Sequence, residues 1–126
     1  MTASVLAIAL GASLGALLRW YLSFTFNSIF PTIPLGTLAA NLIGGFCIGM
    51  FMGFTQYFPF VPQAARLGIV TGFLGGLTTF STFSAETVNL FYHQEYLFSA
   101  VIIIAHVAGS LCATVLGIHT VKLFTS

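Results

Sequence analysis

Four long apolar stretches alternate with short polar interruptions along this chain. Pro31, Pro34, Pro59 and Pro62 interrupt the first half, and residues 91–96, with His93, Gln94 and Glu95, interrupt the second. A helix needs about 20 predominantly apolar residues to cross a bilayer. Residues 3–26, 34–57, 62–91 and 96–124 each meet that length. Trp20, Tyr21, Tyr57, Tyr92 and Tyr96 fall near predicted span ends, where amphipathic rings prefer the headgroup level. The pattern predicts an all-α membrane protein, a single domain over residues 1–126 with four transmembrane helices.

Composition narrows the function classes. Only 4% of residues are charged and 58% are hydrophobic, where a soluble domain carries roughly 25% charged residues. A water-soluble globular protein, a disordered tail, a nucleic-acid binder and an ordinary hydrolase are excluded. A formal net charge of +1 supplies neither a basic stripe nor an acidic patch. Cys47 and Cys112 sit in apolar stretches without C-x-x-C or metal-ligand spacing and are read as packing residues. Met1-Thr2-Ala3-Ser4 has no basic residue, so the first stretch reads as a span rather than a cleaved signal. The expected location is a cell membrane, crossed several times, and the inner membrane in a Gram-negative cell.

The charges barely specify orientation. With four spans, Arg66 and Lys122 share one side and Arg19 lies toward the other, a feeble bias under the positive-inside rule. Two outcomes fit: a weakly specified cytoplasmic N-terminus, or insertion in both directions, which allows an antiparallel pair. Small residues recur at four-residue spacing, as in Gly11/Gly15, Gly45/Gly49/Gly53, Gly68/Gly72/Gly76 and Ala105/Gly109/Ala113/Gly117. Such ladders let helix backbones approach closely in lipid. Their number suggests contacts beyond one four-helix unit, most simply in a two-fold homodimer.

Polar atoms inside spans are costly and therefore informative. Span 2 carries Thr37 and Asn41 one turn apart, and span 4 carries His106, Ser110 and Thr114 at i, i+4 and i+8. Span 3 holds the densest cluster, from Gly72 to Thr87. Gly75-Gly76 weakens a helix by about 1 kcal/mol per glycine, and β-branched Thr78 and Thr79 follow. One reading is a broken helix restarting near Thr79 under a hydroxyl cap, its freed carbonyls offering cation ligands. The other is a glycine-softened kink whose threonines bond their own helix. The hydroxyls likewise admit two roles, self-bonding or lining a hydrophilic path. A path rich in hydroxyl and amide donors, with Glu86 the only intramembrane carboxylate, suits a small anion better than a metal cation. Phe80 and Phe83 lie within this cluster, and their positive ring edges can contact an anion without trapping it.

These residues resemble a known family. Gly72-Phe73-Leu74-Gly75-Gly76-Leu77-Thr78-Thr79-Phe80-Ser81-Thr82-Phe83-Ser84 is similar to the signature of the Fluc family of microbial fluoride channels. Gly11-Ala12-Ser13-Leu14-Gly15-Ala16-Leu17-Leu18-Arg19-Trp20 and Pro34-Leu35-Gly36-Thr37-Leu38-Ala39-Ala40-Asn41-Leu42-Ile43-Gly44 resemble its first- and second-helix motifs. The resemblance implies an antiparallel, dual-topology homodimer with two pores and an interrupted third helix. It implies passive, highly selective fluoride conduction that lowers cytoplasmic fluoride. It implies an anion path at Asn41, Phe80, Phe83, Ser81, Thr82, His106, Ser110 and Thr114. It also implies a structural sodium ion at the dimer centre, held by the backbone carbonyls of Gly75 and Thr78 from both subunits. Arg19 matches the family's first-helix arginine and is expected in a structural or vestibule role.

The alternative is a small four-helix proton-coupled multidrug exporter. That chemistry needs a carboxylate in the first helix, where this chain has no Asp or Glu. A non-transporting assembly subunit would explain the glycine ladders but not the polar stripes. No nucleophile, base and orienting acid converge, so an enzyme is not expected.

Overall fold

A computed structural model describes all 126 residues, Met1–Ser126. The chain is helical almost throughout. The helices are α1 (Thr2–Phe26), α2 (Leu35–Tyr57), α3 (residues 63–77), α4 (Phe80–Tyr92) and α5 (Tyr96–Thr125). α3 and α4 together form the third span, Gln63–Tyr92, and each of the four spans is long and apolar enough to cross a membrane. The 25 residues of α1 extend about 37 Å at 1.5 Å per residue, more than a hydrocarbon core of about 30 Å. The predicted span ends fall within one residue of the observed ones.

The burial pattern is that of a protein solvated by lipid. Only 19 of 126 residues are buried, while Leu10, Leu14 and Leu17 of α1 and Ile104, Leu111 and Leu116 of α5 face outward. Side chains therefore hold the bundle together less than backbone contact does.

The glycine ladders make that contact inside the chain. α1 packs on α3, and a Cβ on Gly76 would stand 2.5 Å from the Ala12 carbonyl oxygen, one on Gly72 2.8 Å from that of Ile8. Reciprocally, Gly15 abuts the Phe73 carbonyl and the Leu77 N–H. α2 packs on α5 in the same way, with Gly49 against the Thr114 carbonyl. The ladders are thus used within one subunit and carry no argument for a second copy, contrary to the sequence-based inference. Gly75 is the exception: it is exposed, and a Cβ there would meet only the Val70 oxygen at 3.6 Å.

The third span is broken rather than kinked. Its start, Gln63–Leu67, is α-helical, Gly68–Leu74 is π-helical, and Gly75–Leu77 completes α3. Thr78 (φ −81°, ψ 154°) and Thr79 (φ −152°, ψ 118°) are extended. α4 then starts at Phe80, capped by the Thr79 hydroxyl, which accepts from the Thr82 N–H at 3.1 Å. α4 rests on α5 through Phe83, Leu90 and Ile102.

Candidate functional site

Two extended residues at membrane depth expose backbone groups that lipid cannot satisfy. One side chain meets them directly, and side chains from two further helices gather around it and the neighbouring residues. Asn41 of α2 faces Thr79: its Oδ1 accepts the Thr79 N–H at 2.7 Å and its Nδ2 donates to the Thr79 carbonyl at 3.0 Å. This double bond also fixes which end of the amide is oxygen. Nδ2 lies 2.9 Å from His106 Nδ1 of α5. An amide nitrogen only donates, so Nδ1 accepts and the imidazole is the neutral tautomer carrying its proton on Nε2. That Nε2 is buried and has no partner. Arg19 reaches in from α1, its Nε donating to the Gly76 carbonyl at 3.1 Å and its Nη1 to Thr82 Oγ1 at 3.5 Å.

Beside the break lies an open cleft of about 490 Å³. Seven of the sequence-predicted residues border it: Asn41, Phe80, Phe83, His106 and Ser110 of the expected path, and Gly75 and Thr78 of the expected cation site. The rings stand in series. Phe80 meets Phe83 edge-on (centroids 5.5 Å, interplanar angle 71°), and Phe83 stacks on His106 (4.5 Å, 30°). Phe83 and His106 are buried, whereas Phe80 is 78% exposed. No Asp, Glu, Lys or Arg borders the cleft.

Three predicted path residues lie outside the cleft lining. Thr114 staples α5 to α2, its hydroxyl shared between the Gly45 and Ser110 carbonyls at 3.0 Å each. Thr82 and Ser81 cluster around the Thr79 hydroxyl, at 3.1 and 3.3 Å. Two features were not anticipated from sequence. One is the Asn41–Thr79 pairing. The other is a short contact in which Thr37 Oγ1 donates to Glu86 Oε1 at 2.6 Å, leaving Oε2 buried and unpartnered. Sequence signalled only that a lone intramembrane carboxylate requires a donor; that the donor is Thr37, fully buried one turn before Asn41, comes from the structure.

The fold and this cleft define a small multi-span membrane protein with an uncharged, largely apolar groove, carrying a few polar groups, at a broken helix. The chain belongs to the family described as CrcB-like protein, Camphor Resistance (CrcB), whose model matches residues 6–118. It is similar to the Fluoride-specific ion channel FluC of Nitrosospira multiformis, 58% identical over 116 residues (92% of this chain, 91% of the relative). The protein of that name from Tolumonas auensis is 54% identical over 123 residues (98% and 97%). That from Pseudomonas aeruginosa is 51% identical over 122 residues (97% and 96%).

Proposed function

We propose that this protein is a passive, selective fluoride channel of a bacterial inner membrane, through which the cell releases fluoride. The observation that carries this reading is the cleft: the aromatic residues Phe80 and Phe83, the hydroxyl residues Thr78, Thr79 and Ser110, and His106 with its buried, unpartnered Nε2 border it among apolar side chains, and no ionised side chain does. The relatives' names support the choice of ion. Fluoride is small and strongly hydrated, so entry requires donors that replace water. Several moderate contacts permit flow where one strong site would hold the ion. Phe80, Phe83, the His106 Nε2–H and Ser110 supply such contacts. Asn41 borders the path, but both its amide hydrogens are engaged, so it acts by holding Thr79 and His106. Ser81, Thr82 and Thr114 complete the polar track from beyond the cleft.

The functional unit is proposed to be an antiparallel homodimer with two pores. One chain supplies a groove rather than a tube, with Phe80 and Gly75 on its open side. A sodium ion is proposed on the carbonyls of Gly75 and Thr78. The fit rests on their hydrogen bonding: the Thr79 and Thr82 N–H groups, which a continuous helix would direct to Gly75 and Thr78, go elsewhere. When bound, the ion supplies a fixed positive charge that neutralises carbonyl dipoles. The exporter alternative is not favoured: the one intramembrane carboxylate, Glu86, is bonded to Thr37 and does not border the cleft.

The test is efflux from liposomes loaded with fluoride or chloride. Fluoride leaves rapidly without a proton gradient and chloride is retained. Equal fluxes of the two ions, or an absolute need for a proton gradient, overturn the proposal.

A further inference from the structure

We infer that Asn41 and Thr79 are the positioning residues of the cation site, and that they make it by withdrawing helical donors from two particular carbonyls. This inference rests on the sodium reading above.

In an α-helix each N–H bonds the carbonyl four residues earlier. A continuous third span would therefore pair Thr79 N–H with Gly75 and Thr82 N–H with Thr78. Both donors are diverted by side chains. Asn41 Oδ1 takes the Thr79 N–H at 2.7 Å. The Thr79 hydroxyl takes the Thr82 N–H at 3.1 Å. Three nearby carbonyls have donors. Leu74 accepts both the N–H and the hydroxyl of Thr78, at 3.0 and 2.8 Å. Gly76 accepts from Arg19 at 3.1 Å and Thr79 from Asn41 at 3.0 Å. Gly75 and Thr78 thus lose the donors that a continuous helix would give them. Gly75 also lacks a Cβ and has open space beside it. An uncharged oxygen set of this kind suits a monovalent cation, since nothing in it adds the negative charge that a divalent ion favours.

Asn41 is itself held in register. Its second amide hydrogen goes to His106 at 2.9 Å, so the anion cleft and the cation site share one amide. Loss of Asn41 lets the Thr79 N–H return to Gly75, and loss of the Thr79 hydroxyl lets the Thr82 N–H return to Thr78. A recovered hydrogen bond competes with the cation for the same lone pair, at a cost of about tenfold in affinity.

The experiment follows thermal unfolding and dimer content of the purified full-length protein, titrated with sodium chloride against N-methylglucamine chloride at constant ionic strength. Sodium stabilises the wild type. The sodium concentration for half of that effect rises about tenfold in Asn41→Leu and in Thr79→Val. Thr79→Ser restores the wild-type value because it keeps the hydroxyl. Asn41→Asp keeps an acceptor for the Thr79 N–H and retains the sodium response while fluoride flux falls. A wild type without a sodium response overturns the cation site itself and the inference with it. A wild-type response that persists unchanged in Asn41→Leu and Thr79→Val leaves the cation site standing and overturns the positioning role. Should those two variants fail to fold, a folded Asn41→Asp or Thr79→Ser dimer that has lost its sodium response overturns that role as well.

Discussion

Replacing Phe80 with isoleucine separates the charge distribution of an aromatic ring from its bulk, and the structure makes this the cleaner of two possible tests. Phe83 is 7% exposed and stacked on His106, so Phe83→Ile reshapes a buried site and costs on the order of 1–3 kcal/mol of stability. Phe80 is 78% exposed and touches Phe83 only edge-on. Within its own chain, Phe80→Ile forfeits the value of one ring pair, about 0.5–1.5 kcal/mol. An edge contact with a full negative charge is at least as strong as one between two neutral rings. Its loss raises the barrier to the passing ion by a similar amount, a fall in flux of about two- to tenfold. The assay is the initial rate of fluoride efflux from liposomes, read with a fluoride electrode and divided by the quantity of folded dimer. The expected result is reduced flux in Phe80→Ile with a melting profile lowered by no more than the loss of that ring pair. Phe83→Ile loses flux and stability together. Wild-type flux per folded dimer in Phe80→Ile would refute the aromatic-edge argument, as would a loss of flux explained wholly by lost folded protein.

Two further outcomes follow from the backbone contacts and the charges. Gly76→Ala forces a Cβ against the Ala12 carbonyl at 2.5 Å and is expected to abolish accumulation of folded protein. Gly75→Ala meets nothing closer than 3.6 Å within its own chain and is expected to keep full helical content while losing dimer by chemical crosslinking. A normal dimer in Gly75→Ala removes that face from the interface. Separately, C-terminal reporters are expected on both sides of the membrane in the same cells, because Arg66 and Lys122 barely outweigh Arg19. Reporters found on one side only count against dual insertion.

Much of the architecture was legible because lipid enforces a simple rule. Every backbone group must be satisfied within a span, so apolar length, bounded by the prolines and the polar 91–96 stretch, located four spans to within a residue. The break was half legible: Gly75-Gly76 weakens the helix, Thr78 and Thr79 favour extended backbone and a hydroxyl is placed to cap a restart, but the same residues also allowed a kink with self-bonded threonines. Partner choice was not legible. Spacing shows that Gly68, Gly72 and Gly76 admit a close neighbour, but not that the neighbour is α1 of the same chain. Asn41 posed a similar difficulty, since an amide both donates and accepts and its position alone does not choose between an ion and the Thr79 backbone. Contacts beyond the break were hidden for another reason. Two extended residues reset the helical phase, so the face that residues 80–92 present cannot be projected from residues 63–77. The pairing of Glu86 with Thr37 became visible only once α4 was placed against α2.

The same break constrains what surrounds it. The Thr78 carbonyl receives no backbone donor from its own chain, because the Thr82 N–H is held by the Thr79 hydroxyl. A carbonyl facing hydrocarbon without a partner costs several kcal/mol. Wherever lipid fills the cleft that Thr78 borders, a lone subunit carries that penalty close to the point where Gly75 leaves its exterior open. Covering that point requires something that is both a lid and an electrophile. On the proposed assembly, a second copy related by two-fold symmetry supplies the lid, and a cation between two sets of Gly75 and Thr78 oxygens supplies the positive charge. Dimerisation and cation binding then share one origin in two diverted N–H groups. Asn41, which diverts the first of them, also fixes the tautomer of His106, leaving an unpartnered donor N–H on a residue that borders the cleft.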